Sequence, residues 1–181
     1  MKKVSAQFSI DSVPTDQIVN YTGSFSDLAQ SALLDLSAKN PQSDNPFGRY
    51  FWTPQQIGLV ADSMTPTYLS SSLKKDRAIW VASVDEELVG FVAMSSKRCD
   101  PILPYLFVSP NHQGNGFGSC LLNMAENFAR KNRFSGIILD AIPQTARFYT
   151  ERRYNPLRDS VQATSYKSKK PIYLIGLEKT L

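Results

Sequence analysis

The stretch that most constrains this 181-residue chain is Leu106-Phe107-Val108-Ser109-Pro110-Asn111-His112-Gln113-Gly114-Asn115-Gly116-Phe117-Gly118-Ser119. A β-rich run ends at Ser109-Pro110, glycines follow at 114, 116 and 118, and a strongly apolar helix opens directly behind them. Glycine lets the backbone approach a ligand with no Cβ in the way. The first N–H groups of a helix lack intrahelical partners and carry a partial positive charge. A strand end, a glycine turn and a helix start, in that order, build a cradle for phosphate groups.

The remainder of the chain reads as one mixed α/β domain with a single sheet. A short strand is expected near Gln7–Ile10, and a helix over Asp27–Ala38 with Leu28, Ala32, Leu33 and Leu36 at helical spacing. Residues 40–52 hold prolines, a glycine and polar residues and read as a loop. Thr53-Pro54 opens a second helix to about Asp62, with Thr53 as N-cap and proline at the first helical position. A further helical piece lies near Thr67–Lys74. Ala78–Val84 and Leu88–Met94 form a hairpin, followed by a run at Tyr105–Val108. The helix after the glycines spans Ser119–Asn132, with Leu121, Ala125 and Phe128 on one face. Ile137–Leu139 is a buried strand, Thr145–Arg152 a short aromatic helix, and Val161–Thr164 and Ile172–Leu177 are closing strands.

Three phosphate-binding loops compete for the glycine turn. A Walker loop ends in Gly-Lys-Ser/Thr, and the turn has no lysine. A Rossmann turn needs Gly-x-Gly-x-x-Gly; here position 119 is serine, and the turn follows an antiparallel hairpin rather than opening a βαβ unit. The third pattern, Gln-x-x-Gly-x-Gly, falls on Gln113, Gly116 and Gly118. It resembles the acetyl-CoA signature of the GNAT superfamily. About thirty residues on lies Ala146-Arg147-Phe148-Tyr149, where that family has Ala-x-x-Phe-Tyr-x-x-x-Gly-Phe, and Val89-Gly90-Phe91 resembles part of its β2–β3 hairpin. The resemblance covers residues 77–157 well and the rest loosely.

The resemblance implies a GNAT-like fold: one mixed, mostly antiparallel sheet flanked by helices. It implies a single domain over 1–181, with acceptor-side helices in 1–76, an acetyl-CoA-binding core in 77–157 and C-terminal strands in 158–181. It implies an N-acetyltransferase that moves acetyl from acetyl-CoA to a primary amine by direct attack. Backbone groups of Leu106, Phe107 and Val108 would pair with the pantetheine arm. Gln113, Gly114, Asn115, Gly116, Phe117, Gly118 and Ser119 would hold the pyrophosphate, mainly through amides. The Val108 amide would be the oxyanion donor, where preorganised N–H groups contribute most. Tyr149 matches the general acid; its ordinary pKa lies above that of a thiol, so it holds a proton for the departing thiolate. The family's glutamate on the strand before the turn has no counterpart in Pro101–Tyr105, which leaves Asp100, Asp140, His112 or a water chain as the base, or an amine that arrives neutral. His112 reads as a solvated loop residue, and Cys120 as a small core residue. The family's glycine after the aromatic helix is Arg153, so Asn155 is expected to make the turn there. Phe47–Trp52 is expected to line the acceptor site. Homodimers are common in the family.

Composition bounds the alternatives. The net charge is +4, but lysines and arginines are scattered in short clusters. A nucleic-acid binder gathers its charge on one face, so no nucleic-acid partner is expected. Cys99 and Cys120 have no metal spacing, and with the lone His112 they cannot assemble a zinc site. No metal is expected. No apolar run has the length of a membrane span or signal peptide, and the expected location is the cytoplasm. A competing reading keeps the fold without the chemistry: an acyl-CoA-binding or sensing module.

Overall fold

The computed structural model describes residues 7–38, 45–73, 77–95, 101–164 and 171–181. Seven strands form one sheet: β1 (Phe8–Ser12), β2 (Arg77–Val84), β3 (Glu87–Ser95), β4 (Ile102–Val108), β5 (Gly136–Ala141), β6 (Asn155–Thr164) and β7 (Ile172–Thr180). Their order is β1-β2-β3-β4-β5-β7-β6. Every neighbouring pair is antiparallel except β4 and β5. This is the mixed, mostly antiparallel sheet expected from the resemblance.

Among the described residues five α-helices cover its faces: α1 (Ile18–Ala38), α2 (Pro54–Ser63), α3 (Pro66–Leu73), α4 (Phe117–Lys131) and α5 (Ala146–Thr150). α1 starts nine residues before the expected Asp27. Val19, Thr22, Gly23 and Ser24 are weak helix formers, yet Ile18, Thr22 and Phe25 are buried along one side, so packing overrides propensity there. α2 begins as expected. Gln56 N–H donates to Thr53 Oγ1 (3.3 Å) and Thr53 N–H to Gln56 Oε1 (2.8 Å), a complete capping box. β6 starts six residues before the expected Val161. Its register against β7 shifts between Pro156 and Val161, and that irregularity hides the strand's alternation.

Two cores lie on opposite faces of the sheet. One gathers α1, α2 and α3 around Phe25, Ile57, Leu69 and Phe91. The other gathers α4 and α5 around Leu121, Leu122, Ala125, Tyr149 and Tyr154. β4 serves both, with Tyr105 in the first and Leu103 in the second.

Helices α4 and α5 end alike. After α5, Arg153 N–H donates to Thr150 O (3.1 Å) and Tyr154 N–H to Tyr149 O (3.1 Å); after α4, Arg133 and Phe134 repeat the pattern onto Arg130 and Ala129. These are Schellman caps, whose turning residue is usually glycine. Here it is arginine both times, at φ 60° for Arg133 and 67° for Arg153. Arg153 therefore takes the left-handed backbone itself, and Asn155 begins β6. The expectation that Asn155 turns the chain is corrected: the cap bonds outweigh the strain of one left-handed side chain.

Candidate active site

β4 and β5 touch at one end only. Ile102 pairs with Ile138, and Ile138 N–H donates to Pro101 O (3.1 Å). Beyond that contact the two strands share no ladder, while the far side of β5 stays fully paired with β7. The gap opens a cleft of about 870 Å³ bounded by residues of both faces of the sheet. Leu106, Phe107 and Val108 form one wall, and Leu139, Asp140 and Ala141 the other.

The ladder between β3 and β4 decides which backbone groups face this cleft. Ser109 N–H donates to Val89 O (2.8 Å), and Val108 stands opposite Gly90. Main-chain groups in an antiparallel strand alternate between its two edges. Those of Phe107 therefore turn toward β3, and those of Leu106 and Val108 turn away, toward the cleft. Two contacts agree. A Cβ on Gly90 would stand 3.0 Å from Phe107 O, and Val108 O accepts from Gln113 Nε2 (3.1 Å), on the other edge. The expected three-residue edge thus reduces to Leu106 and Val108, with Phe107 contributing its side chain.

The glycine turn has the expected backbone. Gly114 and Gly116 sit at φ 81° and 88°, and Gly116 is the N-cap of α4 with no side chain capping the helix. The N–H groups of Phe117, Gly118 and Ser119 are consequently left for water or a ligand. Gly114, Gly116, Gly118 and Ser119 all border the cleft. Gly118 lies against Phe148, 3.4 Å from where a Cβ would stand. Gln113 also borders the cleft, but its side chain ties the loop to the end of β4. The side chains of Asn115 and Phe117 do not border it: Asn115 is exposed, and the Phe117 ring packs edge-on against Phe8 and His112. From these two positions the site receives backbone only.

One residue of this region carried no role in the sequence reading. Arg152 reaches back from the end of α5, donates through Nη2 to Ser119 Oγ (2.6 Å) and through Nη1 to Phe148 O (2.7 Å), and stacks over the Phe148 ring at 3.9 Å. It brings a fixed cation to the N-terminus of α4. Its only sequence signal is the pair Arg152-Arg153, which looks like an ordinary basic surface.

Tyr149 borders the cleft from α5 and is buried, with Phe148 edge-on at 5.0 Å and Tyr154 at 5.8 Å. Burial pushes its phenol above the ordinary range, and the Arg152 guanidinium pulls weakly the other way. The proton is therefore held firmly. Asp140 borders the cleft from β5, exposed at its outer edge, and partial desolvation raises its carboxyl. Asp100 lies outside the described residues. His112 is half-buried in the cleft wall rather than solvated. Cys120 is exposed on α4, so the reading of it as a core residue is corrected; α4 buries Leu121 and Leu122 instead.

On the α1–α2 face, Phe51 and Trp52 border the cleft as expected of the aromatic loop, joined by Leu33, Leu36 and Ile57. Phe47 and Tyr50 pack elsewhere, against the α4–α5 core. The loop is fastened by Trp52 Nε1 donating to Tyr173 O (2.6 Å) and Asn45 Nδ2 donating to Pro143 O (3.3 Å). Among the described residues, no group of histidine, cysteine and acidic side chains could hold a metal ion, and no helix is long and apolar enough to cross a membrane.

Residues 75–154 match the family profile described as an acetyltransferase (GNAT) domain. No curated protein matches at significant similarity. Among solved structures, a GCN5-related N-acetyltransferase from Rhodopseudomonas palustris superposes with a TM-score of 0.73 at 17% identity, covering 100% of this chain and 99% of that one. The PaiA N-acetyltransferase of Thermoplasma acidophilum, in complex with coenzyme A, gives 0.67 at 15%, covering 97% and 99%. The ribosomal-protein-S18-alanine N-acetyltransferase of Escherichia coli gives 0.63 at 14%, covering 96% and 94%. At such identities the likeness speaks for the fold, and the matched profile speaks for residues 75–154. The chain has the GNAT fold, and its residues 75–154 match that family's acetyltransferase domain.

Proposed function

We propose that the protein transfers an acetyl group from acetyl-CoA to a primary amine by direct attack. The observation that carries this reading is one cleft bordered by three parts: the outward edge of Leu106 and Val108, the uncapped start of α4, and the buried hydroxyl-bearing ring of Tyr149. Acetyl-CoA supplies the thioester. The arm would lie along the β4 edge as an extra strand, bonding to Leu106 and Val108. The amides of Phe117, Gly118 and Ser119 would take the pyrophosphate, with Arg152 adding charge-assisted bonds. The relative that holds coenzyme A has the same fold.

The reaction forms a C–N bond and breaks the C–S bond. The neutral amine attacks the thioester carbonyl, and the oxyanion accepts from the Val108 N–H. As the tetrahedral intermediate collapses, the sulfur takes its proton from Tyr149. The proton of the new amide nitrogen leaves to Asp140 or to water. On this reading α1 and α2 supply the acceptor wall, residues 77–157 the acetyl-CoA core and the last two strands the remaining side of the same domain, working where acetyl-CoA is supplied, in the cytoplasm. The test is thermal melting with acetyl-CoA, with ATP and NAD as controls. At about 100 times Kd, binding adds about 2.7 kcal/mol, a rise of roughly 5–10 °C at this size. A rise with acetyl-CoA alone supports the reading. No rise at millimolar acetyl-CoA overturns it.

A further inference from the structure

We propose that the acceptor is a lipophilic primary monoamine: one amino group on an aromatic or branched aliphatic body, with no carboxylate of its own. This rests on the acetyl-transfer reading and names its second substrate.

The acceptor half of the cleft is bordered by Leu33, Leu36, Phe51, Trp52, Ile57 and Ile142. Its amide side chains donate into the wall. Asn45 donates to Pro143 O and accepts from Phe47 N–H (2.9 Å). Gln144 donates through Nε2 to Trp52 O (3.0 Å), while its Oε1, like Nδ1 of His112, is buried without a protein partner among the described residues and is left for one neutral donor. Among the described residues bordering the cleft there are two carboxylates, Asp140 and Glu151. Glu151 pairs with Arg147 Nε at 2.8 Å on α5. That leaves Asp140 as the one unpaired acid among the described residues for a cationic acceptor.

Each ammonium brought out of water needs a partner. A polyamine or aminosugar carries several and, among the described residues, would meet one unpaired carboxylate, one neutral amide oxygen and six apolar side chains. A free amino acid carries a carboxylate, yet of the guanidinium groups bordering the cleft among the described residues Arg147 bonds Glu151 and Arg152, just after α5, stands by Ser119 at the start of α4, where the pyrophosphate would take it. A monoamine with an apolar body leaves neither group stranded. The apolar wall also favours the neutral amine that attack requires, because desolvation lowers an ammonium's pKa, while Asp140 stands at the cleft edge to receive its proton.

The test follows thiol release from acetyl-CoA by the full chain with 2-phenylethylamine, 3-methylbutylamine, phenylalanine and spermidine. We expect kcat/KM for the two monoamines to exceed that for phenylalanine and spermidine by about tenfold or more, the discrimination one stranded buried charge imposes. Leu36→Asp adds a second carboxylate to the half-buried end of α1, and should move the spermidine-to-phenylethylamine ratio up by about tenfold. Its melting rise with acetyl-CoA checks that the variant folds. If spermidine or phenylalanine is preferred, the acceptor class is wrong and acetyl transfer stands. If Leu36→Asp folds but leaves the ratio unchanged, the assigned wall is wrong. If acetyl-CoA binds and no amine of any kind releases thiol, the class and the transferase reading both fall.

Discussion

Replacing Tyr149 with phenylalanine removes one oxygen and leaves the ring, with Phe148 at 5.0 Å and Tyr154 at 5.8 Å as before. The fold should hold: we expect a stability change within about 0.5 kcal/mol and a melting shift below about 2 °C at neutral pH. Loss of a positioned proton donor costs about 10²–10⁴ in rate, or about 3–5 kcal/mol of barrier. The donor acts as the thiolate leaves, so kcat should fall while KM for acetyl-CoA stays put. The pH profile separates this from a packing effect. The ordinary value of 10.0 is raised by burial, so Tyr149 stays protonated across the assay range. Wild-type kcat/KM should climb as the amine deprotonates, with no falling limb below about pH 10. Stability carries the same signature. A raised folded-state pKa gives a contribution that is complete below 10.0 and is lost above it, as the unfolded phenol ionises and the buried one does not. The wild type should lose about 1.4 kcal/mol per pH unit there from this group, and the variant should lose less. A variant with unchanged kcat would refute the assignment, as would a wild-type falling limb below pH 9 that the variant abolishes.

Three further outcomes are expected. Arg153→Gly relieves a left-handed side chain at the α5 cap; relief of about 1 kcal/mol or more, partly offset by glycine's freedom when unfolded, leaves a net gain of about 0.5–1 kcal/mol. Melting should rise by roughly 1–4 °C with acetyl-CoA affinity unchanged, and a lower Tm would contradict the cap. Arg152→Gln should weaken acetyl-CoA binding by about tenfold in calorimetry, one charge-assisted contact's worth, and leave the affinity of an acetylated pantetheine lacking the nucleotide unchanged; equal losses for both would place Arg152 away from the phosphates. Glu126 is buried in α4, where it pairs with Lys179 (2.8 Å) and Arg130 (3.2 Å) and accepts from the Tyr154 hydroxyl (3.3 Å). Glu126→Gln strands the mostly buried Lys179, while the half-exposed Arg130 turns to water. The loss should be about 2 kcal/mol, less than for a fully buried pair, read as a lower urea midpoint; no change would mean the cluster is held by packing alone.

The glycine turn was readable because its chemistry is local. Positive φ at Gly114 and Gly116 and an uncapped helix start follow from residues adjacent in sequence. The Thr53-Pro54 cap and the β2–β3 hairpin were readable for the same reason. The cleft itself was not, because it depends on where β5 stops pairing with β4, and nothing in either strand marks the divergence after Ile102 and Ile138. Arg152 was missed because its partner Ser119 is 33 residues away. The start of α1 was missed because the burial of Ile18 and Thr22 comes from tertiary contact. Arg153 was misjudged by applying a residue preference where two cap hydrogen bonds fix the backbone. Glu126 carries no signal of its cluster in the sequence, since Lys179 sits on the last strand, 53 positions on.

The most direct test of the central claim is a product balance. The protein is incubated with acetyl-CoA and 2-phenylethylamine alongside a mixture of other primary amines, and free coenzyme A thiol and acetylated amine are quantified together by mass spectrometry. The account requires the two in equal amounts, with both suppressed in Tyr149→Phe. Thiol without acetylated amine would make the cleft a thioesterase site, and tight acetyl-CoA binding with neither product would make it a binding module; either result contradicts the account.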